Sequence, residues 1–83
     1  MKVTFKLFAS LSDYLPAGTR DNRIELEVED GVAVGELIAR YRVPQRSAHL
    51  VLVNGVFVPP AERAQRRLRE GDELAVWPPI AGG

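Results

Sequence analysis

The sequence contains no cysteine and only one histidine, His49. Without cysteine the chain cannot form disulfide bonds, thiolate metal sites or iron–sulfur clusters, and it has no nucleophilic thiol of its own. One histidine does not make a set of metal ligands, so we expect no metal site and interpret His49 as a residue at the edge of a strand. The sequence also lacks a nucleophile–base pair and a phosphate-binding loop, which argues against an enzyme that works alone.

An excess of charge and long apolar runs are absent too. Lys and Arg number 11 and so do Asp and Glu, and zero net charge argues against nucleic acid as a partner. No apolar run is long enough to span a bilayer, and residues 1–6 lack the core of a signal peptide. We therefore expect a cytoplasmic protein with no membrane partner. Its 83 residues, 46% of them hydrophobic, are typical of one soluble globular domain.

Alternating polar and apolar residues predict two strands in the first part of the chain. They cover residues 2–8 and 23–28 and are joined by a helical turn and an irregular connection. From Val32 the apolar spacing becomes that of a helix, which we expect Pro44 to end. The inward face of this helix, which we assign to the core, comprises Val34, Leu37, Ile38 and Tyr41.

The second half predicts a hairpin and a last strand. We interpret residues 50–53 as a buried strand, Asn54-Gly55 as a turn with positive φ at both positions, and 56–58 as the returning strand with Val56 and Val58 inward. The last strand covers 73–77. This order fits an α+β fold, the ubiquitin-like β-grasp, over residues 1–77. Its mixed sheet of four to five strands packs on one main helix, with the first and last strands adjacent and parallel at the centre.

Charged residues crowd the connection before the last strand, in residues 61–69. They are Glu62, Arg63, Arg66, Arg67 and Arg69. Two interpretations stay open: a solvated face, or a basic patch for a specific partner surface.

Three aromatic side chains are predicted on the sheet face that the helix does not cover: Phe8, Phe57 and Trp77. Each neighbours an inward residue in its strand, and the sequence predicts no second helix to cover them. Exposed aromatic clusters in soluble domains mark partner interfaces. The alternative is that strand bulges or residues 61–69 bury these rings.

The last six residues, 78–83, form a predicted tail. Pro78 and Pro79 cannot continue a strand because neither has an N–H group. They favour an extended, polyproline-like path, so the flexible tail of six residues could project about 18 Å from the domain. It ends on Gly82 and Gly83, which are small enough to enter a narrow enzyme channel. The alternative is a frayed end or a cloning remnant.

Four stretches together carry a resemblance to a known family: Trp77-Pro78-Pro79-Ile80-Ala81-Gly82-Gly83, residues 70–74, Val53-Asn54-Gly55 and residues 2–9. The chain resembles the MoaD/ThiS sulfur-carrier family of ubiquitin-like proteins over essentially its whole length. Within that family it is most similar to the small subunit of molybdopterin synthase. The Pro59-Pro60 pair and the arginine-rich stretch after it depart from the best-known small subunits.

The resemblance implies how such a protein works. An ATP-dependent enzyme related to ubiquitin-activating enzymes would adenylate Gly83, and a persulfide-derived sulfur would displace AMP and leave a thiocarboxylate. ATP is used by that partner, and no cofactor stays bound to the carrier. The tail would then enter the large subunit of the synthase, which builds the dithiolene of the molybdenum cofactor, with clearance provided by Gly82. The residues implied in partner binding are Phe8, Phe57, Trp77, Pro78, Pro79, Ile80 and Ala81.

The chain would thus be the sulfur-donating subunit of a sulfurtransferase complex, without catalytic machinery of its own. Within the same class, the alternative clients are thiamine, cysteine, the tungsten cofactor and thiolated tRNA. Carriers for thiamine tend to be shorter and to lack the Pro-Pro arm, which weighs against that client. A second class of function is a ubiquitin-like modifier or interaction module, whose terminus is conjugated to lysines or is inert.

Overall fold

The computed structural model describes residues 1–79. Within this range the secondary structure elements are β1 (Lys2–Leu7), β2 (Arg23–Glu27), α1 (Val34–Arg40), β3 (Leu50–Val53), β4 (Val56–Phe57) and β5 (Glu73–Trp77). Short 3₁₀ helices cover Ala9–Tyr14, Gln45–Ser47 and Pro60–Glu62. The predicted order of strands and helix is confirmed. The predicted flexible tail lies mostly outside the described residues, so the boundary between residues 1–77 and 78–83 stays a prediction.

The strands form one mixed sheet in the order β2-β1-β5-β3-β4. β1 pairs antiparallel with β2 and parallel with β5, and β5 pairs antiparallel with β3. The first and last strands are therefore adjacent and parallel, as predicted. The register places Leu7 and Val51 on either side of Val76, and all three side chains are buried, so the inward residues form a continuous layer. This is the β-grasp arrangement.

Helix α1 covers one face of the sheet. Val34, Leu37 and Ile38 are buried, and the ring of Tyr41, directly after the helix, lies 5.0 Å from that of Phe5. The helix ends at Arg40 rather than at Pro44, because Arg42 takes a positive φ of 63° that terminates the helical path. The largest fully buried side chains are Phe5, Leu7, Leu11, Leu37, Leu68 and Leu74.

The main chain of the arginine-rich segment closes the start of α1. The helix has no side-chain cap at its first residue. Instead, the N–H groups of Val34 and Gly35 donate to the carbonyl oxygens of Arg66 and Arg63, at 2.8 and 2.9 Å. A Cβ at Gly35 would lie 3.3 Å from the Arg63 oxygen, so glycine suits this close approach. The segment is part of the fold as well as a charged stretch.

The Asn54-Gly55 turn is confirmed, with φ values of 51° and 84°. The Asn54 side chain also fastens the hairpin to β5. Its amide nitrogen donates to the carboxylate of Asp72, and its oxygen accepts the N–H of Glu73, both at 2.9 Å. The buried Asp72 accepts a further hydrogen bond from the N–H of Arg69 at 2.8 Å. These hydrogen bonds connect the Asn54-Gly55 turn to the turn at residues 70–72 that precedes β5.

Two expectations for the hairpin are wrong. β3 is not buried on both faces: Val51 and Val53 are buried, while Leu50 is 37% exposed on the other side. Val56 projects to the same side of the sheet as its partner Val53, as predicted, but it is 66% exposed rather than buried. The reason is that β4 is the edge strand of the sheet, where no further strand packs beside the residue.

Candidate functional site

The sheet face opposite α1 carries an apolar surface, which we call the outer face. It consists of Phe8, Leu50, Leu52, Phe57, Ala75 and Trp77. The register aligns Leu52 with both Phe57 and Ala75, and Leu50 with Trp77. Because aligned residues of neighbouring strands project to the same side, these side chains form one continuous patch across β4, β3 and β5.

Phe8 and Trp77 form the end of the outer face nearest the tail. Their rings are stacked, with centroids 4.4 Å apart and planes at 8°. The N–H of Phe8 donates to the carbonyl oxygen of Val76 at 3.1 Å, which continues the ladder between β1 and β5 and holds Phe8 beside Trp77. Both rings are half-buried, and each shields the other. Together they make a preformed aromatic platform at the residue where β5 ends.

Phe57 forms the opposite end of the outer face. It is 51% exposed, so neither a bulge nor residues 61–69 bury it in the described part of the chain. Lys6 and Glu73, beside Ala75, form an ion pair at 3.1 Å along one side of the patch. An apolar centre bordered by charged residues is the usual build of a protein interface. The structure thus brings the three predicted aromatic residues to one face, while their role in binding stays a prediction.

Leu50 and Leu52 belong to the outer face although the sequence did not indicate them. β3 reads as four apolar residues in succession, and this pattern hides which of them alternate to which side. The signal that reveals them is the pairing of β3 with β5, where Leu50 faces Trp77. They enlarge the apolar area between Phe57 and Trp77.

The base of the tail is held firmly up to Trp77. The N–H of His49 donates to the carbonyl oxygen of Trp77 at 3.0 Å, which secures the last residue of β5. Pro78 is half-buried and Pro79 is exposed. A cleft of about 590 Å³ at this point is lined by both prolines, Trp77, Leu50 and His49. The remaining predicted site residues, Ile80, Ala81, Gly82 and Gly83, lie outside the described residues, and their roles stay predictions.

In residues 1–79 no three His, Cys, Asp or Glu side chains come together in a way that could hold a metal ion. Over the same range no helix has the length and apolar character needed to cross a membrane.

The sequence profile of the ThiS family matches residues 5–83. Among solved structures, SAMP1 from Haloferax volcanii is 26% identical with a TM-score of 0.69, and the match covers 100% of both chains. A putative molybdopterin converting factor, subunit 1, from Pyrococcus furiosus is 25% identical with a TM-score of 0.68, over 95% of this chain and 98% of that one. No curated protein sequence matches the chain significantly.

A further structure is a complex of subunits 1 and 2 of the molybdopterin-converting factor from Helicobacter pylori. It is 17% identical with a TM-score of 0.59 over 100% of both chains, and this likeness concerns the fold alone. The family profile spans nearly all of the chain, and the solved structures share its fold over 95% or more of its length. The resemblance found in the sequence is thereby confirmed, and the chain belongs to the ThiS family of ubiquitin-like sulfur carriers.

Proposed function

We propose that this protein carries sulfur as a thiocarboxylate on Gly83 and donates it as the small subunit of molybdopterin synthase, in molybdenum cofactor biosynthesis. The observation that carries the proposal is the match to the ThiS family, which extends through Gly83 itself. The similarity to a molybdopterin converting factor subunit supports the choice of pathway.

The chemistry follows from the properties of a carboxylate, which is ionised at neutral pH and is a poor electrophile. One oxygen of the Gly83 carboxylate attacks the α-phosphorus of ATP in an adenylating enzyme, and pyrophosphate leaves. The terminal sulfur of a persulfide on a donor protein then attacks the acyl-adenylate and displaces AMP. A thiol cleaves the resulting acyl disulfide, supplies two electrons, and leaves the thiocarboxylate.

Two properties of the chain support this assignment. The sequence has no cysteine, so it offers no thiol on which sulfur could be carried. The outer face offers a place where partners bind, and its aromatic platform lies at the base of the tail. A partner that covers Phe8 and Trp77 would have Pro78 directed into its own active site. We assign this face to the adenylating enzyme and to the large subunit of the synthase.

Mass spectrometry tests the proposal directly. The protein is incubated with its adenylating enzyme, ATP and a persulfide donor, and its intact mass is measured. We expect a mass gain equal to the exchange of one oxygen for one sulfur, and no gain when ATP is omitted. Addition of the large subunit and the pterin precursor should return the mass to its starting value. An unchanged mass in the complete mixture would contradict the carrier chemistry.

A second candidate function is favoured by the similarity to SAMP1, a structure also described as small archaeal modifier protein 1. In that case the activated Gly83 would be attacked by a lysine amine of another protein and form an isopeptide bond. The same experiment with a cell extract distinguishes the two functions, because a modifier produces adducts at lysine residues. Such adducts without any thiocarboxylate would favour the modifier.

A further inference from the structure

The arginine-rich segment lines a groove on the side of the sheet that α1 covers. The groove lies between α1 and residues 60–67 and has a volume of about 760 Å³. The lining is partly polar, and its apolar part, which we call the floor, consists of small or buried side chains: Ala33, Ile38, Val43, Ala48 and Ala64. Arg46, Arg63 and Arg67 stand along it. We call this feature the basic groove.

In the described part of the chain, the arginines of the basic groove have no carboxylate partner. Glu36, the carboxylate among the lining residues, is already bound to Arg40 at 2.9 Å. Within residues 1–79 neither Arg46 nor Arg63 nor Arg67 forms an ion pair. Three positive charges therefore border an apolar floor in a molecule whose net charge is zero.

Two of these arginines are held in place by the backbone. Arg67 donates to the carbonyl oxygen of Gly31 at 2.8 Å. Arg63 donates from Nε, Nη1 and Nη2, at 3.3, 2.6 and 3.2 Å, to the carbonyl oxygens of Val58, Ala48 and His49. Carbonyl partners do not neutralise a guanidinium, and two of the five N–H donors of Arg63 remain for a ligand. Because these side chains are already ordered, binding an anion loses little conformational entropy.

The positions of the arginines indicate an extended ligand. Arg67 is anchored beside the start of α1, whereas Arg46 follows the end of the helix. The helix between them, with seven residues, is about 10 Å long. A compact anion such as phosphate would reach one of them, while a peptide with several carboxylates would reach both. The apolar floor between them accepts small apolar side chains.

We propose that the basic groove binds an extended acidic segment of a partner protein, with carboxylates at Arg46, Arg63 and Arg67 and apolar side chains on the floor. The outer face lies on the opposite side of the sheet and stays free in such a complex. A protein that holds the chain by the groove can therefore present the outer face and the tail to an enzyme. This inference goes beyond the proposed function and does not depend on it.

The test uses the full chain and a short labelled peptide in which Glu and Asp alternate with Ala and Leu. The control peptide has Gln and Asn in place of the acids. By fluorescence anisotropy we expect binding of the acidic peptide alone, weakened by added salt. In NMR spectra of the ¹⁵N-labelled protein, we expect the peptide to change the amide chemical shifts of residues 33–49 and 60–67. The amide shifts of β3, β4 and β5, which carry the outer face, should not change.

Substitutions locate the site. The double variant Arg46→Gln with Arg67→Gln should weaken binding about tenfold, since each lost charge pair is worth a few-fold in affinity. The matched control is Arg20→Gln with Arg23→Gln, which removes the same charge from exposed arginines elsewhere and should bind normally. Arg63 is left intact because its side chain supports the fold.

Several results would overturn the proposal. One is that the amide peptide binds as tightly as the acidic peptide, and another is that the control variant loses as much affinity as the Arg46/Arg67 variant. A third is that the acidic peptide does not bind at low salt. Stronger binding of inorganic phosphate at the same amides would make the groove a small-anion site instead. Concentration-dependent shifts of the same amides without peptide, together with dimers in sedimentation, would assign the groove to a second copy of the chain.

Discussion

Arg63 joins three separate parts of the fold through one side chain and one carbonyl group. Its guanidinium binds the carbonyl oxygens of Ala48 and His49 ahead of β3 and that of Val58 after β4. Its own carbonyl oxygen accepts the N–H of Gly35 in α1. The N–H of His49 in turn binds Trp77 at the end of β5. Burial lowers the pKa of the Arg63 guanidinium, which nevertheless stays charged at neutral pH.

We expect Arg63→Lys to destabilise the protein by about 2 kcal/mol, because one ammonium group cannot reach three carbonyl oxygens at once and a charged donor bond is worth this much. Urea unfolding followed by circular dichroism measures the loss. The matched control is Arg69→Lys, an exposed position whose side chain makes no hydrogen bond within the described residues, and it should change stability by less than about 0.5 kcal/mol. Equal midpoints for both variants would show that the carbonyl bonds do not stabilise the fold.

Glu29 and Arg40 form an exposed pair that ties the turn after β2 to α1. The hydrogen bond from Arg40 is the main reason why the pKa of Glu29 falls from 4.5 to about 2, and the same hydrogen bond raises the pKa of Arg40. Glu36 extends the cluster through its own contact with Arg40 at 2.9 Å.

This pair predicts a pH dependence of stability. The folded-state pKa of Glu29 lies below its unfolded value, so the unfolded chain binds more protons between pH 2 and 4.5. The stabilisation is present above pH 4.5 and is lost as the pH falls towards 2. In Glu29→Gln we expect a flatter pH dependence of the urea midpoint in this window, most clearly at low salt. Glu25→Gln, an exposed carboxylate with no ion pair in residues 1–79, is the control, and parallel curves for Glu29→Gln and wild type would contradict the assignment.

At the scale of elements, local sequence patterns correctly predicted the features that depend on neighbouring residues in the chain. The alternation of polar and apolar residues predicted the bounds of β1, β2 and β5 to within one residue. The need for positive φ predicted the Asn54-Gly55 turn. The patterns failed to predict exposure where it depends on which strands lie beside the residue in the sheet. Leu50 and Leu52 alternate with equally apolar valines, so only their pairing with β5 shows that they belong to the outer face. Val56 is exposed because β4 has no outer neighbour.

The arginine-rich segment shows the same limit. Its charges left two interpretations open, and the contacts that give it a structural role join residues far apart in the chain. The carbonyl groups of Arg63 and Arg66 bind the start of α1, and the side chain of Arg67 binds Gly31. No spacing within residues 61–69 records these partners. The sequence predicted that Phe8, Phe57 and Trp77 lie on one face of the sheet, but it did not predict the basic groove, and the role of the tail stays a prediction.

The two residues of β4 offer a matched test of the outer face. Phe57 points to that face and Val56 to the opposite side, and the two are 51% and 66% exposed. Aspartate at either position should therefore leave the melting temperature within about 3 °C of wild type. Only Phe57→Asp should weaken binding to the adenylating enzyme, by about tenfold or more, because large aromatic residues dominate interface energies.

Calorimetric titration of the adenylating enzyme with each variant measures this change in affinity. Equal weakening by Val56→Asp would place the interface elsewhere, and unfolding of Phe57→Asp would make Phe57 a core residue rather than a contact.

At the scale of the whole molecule, the residues that stabilise the fold are separate from the residues proposed to carry the chemistry. The hydrophobic core formed within residues 1–79 extends from Val3 to Val76 along the chain. The proposed reactive carboxylate belongs to Gly83, beyond two prolines that cannot extend β5. A change at the end of the tail should therefore alter reactivity and leave folding and partner binding as they are.

We expect one alanine added after Gly83 to abolish thiocarboxylate formation. The terminal carboxylate then belongs to alanine instead of Gly83, and it lies about 3.3 Å further along the partner's active site. The melting temperature and the affinity for the adenylating enzyme should stay at wild-type values, since the core and the outer face are untouched. Intact-mass measurement after reaction with ATP and the sulfur donor provides the readout. Proteolytic removal of the extra residue, which restores Gly83 as the last residue, should restore the mass gain. If the extended protein still acquires sulfur, the carrier group is not the carboxylate of Gly83.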